Sequence, residues 1–174
     1  MKGLSRAIVL ASAAALAVPA AAQSVPNGPT GTIETKYYAN GTFATTQTRS
    51  TVACDSKGNQ CDVFYPSTIT ASQERLPLVL WANGTGSTPD NYTYWLKHLA
   101  SWGFVVVATR DQQTGYGNTV LDSLAWIRTE EANPASPFYH RIDFTKVGAA
   151  GHSQGASGAA NAMFNSNGVV TTTV

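Results

Sequence analysis

The chain has 174 residues, a length that fits one domain. It is 43% hydrophobic and 12% charged, the composition of a soluble globular protein, and its net charge is only +1. So near-neutral a balance, with no run of lysine or arginine, excludes an electrostatic nucleic-acid binder.

In chain order, residues 1–22 read first as a signal peptide. Lys2 and Arg6 precede the apolar run "AIVLASAAALAV", Pro19 breaks it, and Ala20-Ala21-Ala22 offers small residues for cleavage before Gln23. The run is too short to span a bilayer, so the expectation is a secreted or periplasmic protein with no stable membrane insertion after cleavage. Residues 23–31, "QSVPNGPTG", read as a flexible leader rich in Pro and Gly. "TIETKYY" and "TFATTQTRSTVA" flank Asn40-Gly41, which predicts a β-hairpin. Cys54 and Cys61 bracket "DSKGNQ", a turn between strand-like runs. In an oxidising compartment they predict a structural disulfide rather than two buried thiols or a metal site. "CDVFYP" is the next strand candidate, ended by Pro66.

The pattern then changes. "LPLVLWA" is a continuous apolar run suited to a buried strand. Ser87, Thr88 and Pro89 start a helix that carries Tyr92, Trp95, Leu96 and Leu99 on one face and stops at Gly103. "FVVVA" is a second buried strand. A helix over 119–131 follows, with Thr119 and Asp122 in capping-box spacing. After the loop "NPASPFYH" comes the strand "KVGAA", and then a helix with Ala156, Ala159, Ala160, Met163 and Phe164 on one stripe. Strand and helix alternating three times predicts a parallel sheet covered on both faces, behind an antiparallel start.

Between "KVGAA" and that last helix stands Gly151-His152-Ser153-Gln154-Gly155. A strand turning sharply into a helix lifts one side chain above the sheet, and the residues two before and two after it must be small. Gly151 and Gly155 meet that need, Ser153 is the candidate nucleophile, and the helix N-terminus brings the Gln154 N–H towards the serine oxygen. The bland reading is a glycine-rich turn. A second N–H donor is expected from "WANGTGS" after the first parallel strand. Gly84 and Gly86 let the backbone approach a ligand, and Thr85 is the candidate. Asn40, Asn83 and Asn91 begin Asn-x-Thr sequons.

"LPLVLWANGTGS", "LASWGFVVVATR" and "IDFTKVGAAGHSQGA", with the spacing between them, resemble the N-terminal portion of secreted α/β-hydrolases. The likeness is to bacterial lipase, cutinase and polyester-hydrolase relatives, and more loosely to the dienelactone-hydrolase group. It spans residues 76–164. The resemblance implies an α/β-hydrolase fold over 32–174 and hydrolysis of a small-molecule or polymeric ester, with no cofactor and no metal. It also implies Ser153 as nucleophile and backbone N–H groups of Thr85 and Gln154 as the oxyanion hole. Thr85 stands where polyester-active members often carry an aromatic residue, Gln154 where they carry methionine, and Gly155-Ala156 where they carry two glycines.

In such enzymes the acid and the histidine follow the nucleophile. After Ser153 the sequence holds no Asp, Glu or His. His98 is expected on a helix surface, His140 in a loop, and His152 with its ring turned away from the neighbouring serine. None is expected to serve as base. The expectation is therefore a C-terminally truncated hydrolase in which "NSNG" closes the last helix and "VVTTTV" opens the next strand, while the strands after it are missing and "KVGAA" is left as an apolar sheet edge. The alternative is a non-catalytic secreted remnant or binding module on the same scaffold.

Overall fold

The apolar runs "LPLVLWA" and "FVVVA" become the centre of one six-stranded sheet in a computed structural model that describes residues 28–174. The expected signal peptide and residues 23–27 of the leader lie outside the described residues. In chain order the elements are α1 Thr32–Tyr38, β1 Thr45–Arg49, β2 Cys61–Pro66, β3 Leu76–Ala82, a 3₁₀ turn Pro89–Tyr92, α2 Thr93–Ser101, β4 Val105–Thr109, α3 Asn118–Ala132, β5 Ile142–Gly151, α4 Gln154–Asn165 and β6 Val170–Thr173.

The strand order is β1-β2-β4-β3-β5-β6. β1 and β2 pair antiparallel, as do β2 and β4, whereas β4, β3, β5 and β6 run parallel. The antiparallel start and parallel continuation are those expected of an α/β-hydrolase. Helices α3 and α4 cover one face, burying Leu78, Leu80, Val105, Val107, Ile127 and Val147 with them. On the other face α2 packs Leu96 and Ala100 against Phe64, Trp81, Val106 and Ala108. β4 is buried throughout and β3 over most of its length, which is why those strands read as unbroken apolar runs rather than alternating ones.

Four expectations are corrected. Residues 32–38 are helical rather than a hairpin strand, and Asn40-Gly41 is no hairpin turn: neither has the positive φ that such a turn demands. Gly41 serves instead for close approach. Its N–H donates to Ser101 Oγ at 2.8 Å, and a Cβ there would run into the Ser101 carbonyl. The carboxylate of Glu34 accepts from the Thr30 N–H at 2.9 Å, which favours the helix start over a strand. Second, Thr119 and Asp122 form no capping box. Thr119 Oγ1 donates to Asp111 at 2.8 Å, and Asp122 accepts from the N–H and hydroxyl of Ser56 at 2.9 and 2.6 Å. Third, the buried face of α4 is Gly155, Gly158, Ala159 and Ala162, while Phe164 is 85% exposed. Gly155 lies against the Ala82 carbonyl and Gly158 against that of Thr114, so backbone proximity sets the helix phase and large residues are turned outward. Fourth, "KVGAA" is not an edge, because β6 pairs along it in parallel.

The disulfide expected between Cys54 and Cys61 is present, with the Cα atoms 5.7 Å apart. Among the described residues no helix is long and apolar enough to cross a membrane.

Candidate active site

β5 leaves the sheet at Gly151 beside the end of β3, and the next three residues reverse the chain into α4. The His152 N–H donates to the Ala82 carbonyl at 3.2 Å, pinning the turn to β3. The Gly155 N–H donates to the His152 carbonyl at 2.8 Å and the Ala156 N–H to that of Ser153 at 2.9 Å. Ser153, at the apex, has φ 56° and ψ −124° and an exposed side chain. Such a backbone costs a non-glycine residue about 1–3 kcal/mol, which the surrounding packing has to hold in place. A Cβ on Gly151 would strike the Gly155 carbonyl, and one on Gly155 the Ala82 carbonyl, so the tight reversal depends on both glycines.

The loop after β3 lies alongside. Asn83 is fully buried: its Nδ2 donates to the carbonyls of Thr109 at 2.6 Å and Asp111 at 2.9 Å, while its own carbonyl accepts from Thr114 Oγ1 at 2.7 Å. Its side chain thus ties the C-terminal ends of β3 and β4 together. Thr85 follows, exposed between Gly84 and Gly86. Among the described residues neither the Thr85 N–H nor the Gln154 N–H donates a hydrogen bond. The Gly84 N–H donates to the Tyr92 hydroxyl at 3.0 Å, and that hydroxyl lies 3.1 Å from His152 Nδ1. The Gln154 side chain donates from Nε2 to the carbonyl of Gln112 at 3.1 Å.

The three histidines are dispersed. His98 is buried rather than on the surface, which corrects the expectation. It stacks on Trp95 with ring centroids 5.7 Å apart and donates from Nδ1 to Asn40 Oδ1 at 3.0 Å. His140 lies in the loop before β5, its Nδ1 3.6 Å from Glu131. His152 turns towards Tyr92, as expected for the residue beside an elbow serine.

An apolar cavity of about 430 Å³ opens next to His152 on the α2 side, walled by Trp81, Trp95, Leu99, Ala150 and Val174. Arg110 bridges Asp62 at 2.6 Å and Asp90 at 2.5 Å, and the hydrogen bond to Asp90 holds that carboxyl below its ordinary range.

Asn83, Tyr92 and Gln112 carry the local geometry yet did not stand out in the sequence. Tyr92 fell on the apolar stripe of a helix, where its phenol reads as packing. Asn83 offers one signal, an amide directly after a buried strand: its Nδ2 finds two carbonyls, while its Oδ1 has no partner among the described residues.

Compared with models of known families, residues 19–172 match the one described as PETase, PET hydrolase-like.

Proposed function

Because the chain belongs to this PET hydrolase-like family of the α/β-hydrolases, a family of ester hydrolases, we propose that it cleaves carboxylic esters through an acyl-enzyme on Ser153. The observation that carries the proposal is the positive-φ serine at the head of α4, with the free N–H groups of Gln154, the first residue of that helix, and of Thr85 in the loop after β3.

In this reading Ser153 Oγ attacks the ester carbonyl carbon. The carbonyl oxygen becomes an oxyanion and accepts hydrogen bonds from Thr85 and Gln154, donors fixed before the charge develops. Collapse expels the alcohol and leaves the acyl group on Ser153, and water then releases the acid. The apolar cavity beside His152 suits the hydrocarbon part of a small-molecule or polymeric ester.

A serine hydroxyl needs a base to become a competent nucleophile near neutral pH. No histidine of the described residues makes a hydrogen bond to Ser153. The proposal therefore includes an acid and a histidine supplied from beyond residue 174, with this sequence the front part, 32–174, of the catalytic domain. It also includes export, with residues 1–22 removed and 23–31 left as a leader. The disulfide supports an extracellular setting.

The unpartnered serine also favours a second reading, a non-catalytic secreted module on the same scaffold. One experiment separates the two. The longest open reading frame containing this sequence is expressed, labelled with a fluorophosphonate and assayed on a p-nitrophenyl ester, with Ser153→Ala as control. The proposal expects labelling of Ser153 and a fall in kcat of several orders of magnitude in the alanine variant, about 10⁶-fold in a comparable serine hydrolase. Turnover unchanged by the substitution would place the nucleophile elsewhere, and no turnover at all would leave the non-catalytic module.

A further inference from the structure

The loop that carries Thr85 and the elbow that carries Ser153 are joined through two atoms that belong to neither. The Tyr92 hydroxyl receives the Gly84 N–H at 3.0 Å and lies 3.1 Å from His152 Nδ1. The Gln112 carbonyl receives the Gly86 N–H at 3.0 Å and Gln154 Nε2 at 3.1 Å. Thr85 is thereby held on both flanks, at 84 and 86. Ser153 is held on both flanks too, at 152 and 154, by the same two atoms.

We propose that Tyr92 and the Gln154 side chain are positioning residues that set the separation and aim of the Thr85 and Gln154 N–H donors, a role that rests on Ser153 being the nucleophile. Glycine on both sides of Thr85 makes that stretch conformationally permissive, so nothing local fixes the direction of its N–H. The clamp fixes it from outside. A hydroxyl has one hydrogen. In the clamp the Tyr92 oxygen accepts from Gly84 and gives its own hydrogen to His152 Nδ1, the arrangement in which the imidazole carries its hydrogen on Nε2. The Tyr92 ring is seated against Trp81, centroids 4.9 Å apart, so the hydroxyl is delivered from the core side of the sheet. On the other flank a carbonyl with two lone pairs accepts both donors at once.

Donors aimed at charge that exists only in the transition state act on kcat rather than on KM. Tyr92→Phe removes the hydroxyl and keeps the ring. Gln154→Met keeps the length of the side chain and the backbone N–H but removes the amide. Both are made in the longest open reading frame, for kinetics and for ¹⁵N NMR of His152. Each variant is expected to lower kcat about 10- to 100-fold, the cost of a donor misplaced by about 1 Å, with KM changed by less than about twofold. His152 is expected to carry its proton on Nε2 in the parent chain and to lose that preference in Tyr92→Phe. Unchanged kcat in both variants of an enzyme that Ser153→Ala inactivates would overturn the clamp while leaving the functional reading intact. So would a parent His152 protonated on Nδ1. A parent whose turnover Ser153→Ala does not alter overturns the functional reading, and the clamp with it. If Tyr92→Phe fails to fold, Gln154→Met decides the kinetics.

Discussion

At the scale of single residues, the elbow is held by small side chains. Gly155 touches the carbonyls of both Ala82 and Asn83, so a methyl group has nowhere to go. Gly155→Ala would push α4 off β3 and is expected to cost about 1–3 kcal/mol, the usual penalty of overpacking. Urea unfolding reads this as a lower midpoint at unchanged slope. The same change gains about 0.5–1 kcal/mol in helix propensity, so a net stabilisation would mean that the contact with β3 yields readily. Residue identity also marks where sequence reading ran out. Gly151, Ser153 and Gly155 were legible because a strand-to-helix reversal admits few residue types. Asn83 and Tyr92 were not, because their work depends on partners distant in the chain: Thr109 and Asp111 for one, His152 for the other.

At the scale of elements, β2 is tied to its neighbours by a buried carboxylate as well as by its backbone ladder. Asp62 is 1% exposed and receives Arg49 of β1 at 2.7 Å and Arg110, just past β4, at 2.6 Å. Asp62→Ala would leave Arg49 and Arg110 with only the exposed Asp90 carboxylate between them. Breaking a buried pair from one side costs about 3–5 kcal/mol, and the exposure of Arg49 places the expected loss at the lower end. Thermal unfolding of the variant measures it, and a loss below about 1 kcal/mol would class the network with ordinary surface pairs. The central strands were the most legible elements, since β3 and β4 are apolar runs; β5 begins at Ile142, ahead of the expected "KVGAA", because Asp143, Thr145 and Lys146 break its apolar pattern. α1 was misread because its residues 32–38 bury nothing. Without a buried stripe, Thr and Tyr suggest a strand, whereas the Glu34 carboxylate at the helix start decides for a helix. The phase of α4 escaped for a related reason. An apolar stripe ending in Met163 and Phe164 looks like a core face, yet the close approach of Gly155 and Gly158 to backbone leaves room only for small residues on the sheet side.

At the scale of the whole molecule, stability should depend on acid through two carboxylates that join distant parts of the chain. For Asp111 burial opposes ionisation, but the Lys57 ammonium, the Thr119 hydroxyl and the Gln113 N–H together outweigh it and hold the carboxyl below its ordinary value. Asp90 is held low by its hydrogen bond from Arg110. In both, the unfolded chain binds the proton more readily than the folded one. Their contribution is therefore complete above the ordinary carboxylate pKa, about 3.9, and is lost as pH falls through the lowered native values. The urea midpoint is expected to be level from pH 7 to 5 and to drop below pH 4, with Asp111→Asn flattening part of the drop. A midpoint that rises on acidification would contradict the sign.

The apolar cavity beside the elbow has an optical consequence. Two of the four tryptophans, Trp81 and Trp95, form its wall; Trp81 is nearly dry, whereas Trp95 is 46% exposed. Anything apolar that fills the space strips water from the Trp95 indole and should move its emission to shorter wavelength, leaving that of Trp81 almost unchanged. The protein thus carries a built-in lamp at the rim of this apolar space. Titrating a slowly hydrolysed ester while recording tryptophan emission, with Trp95→Phe as the darkened control, would report occupancy before any bond is broken.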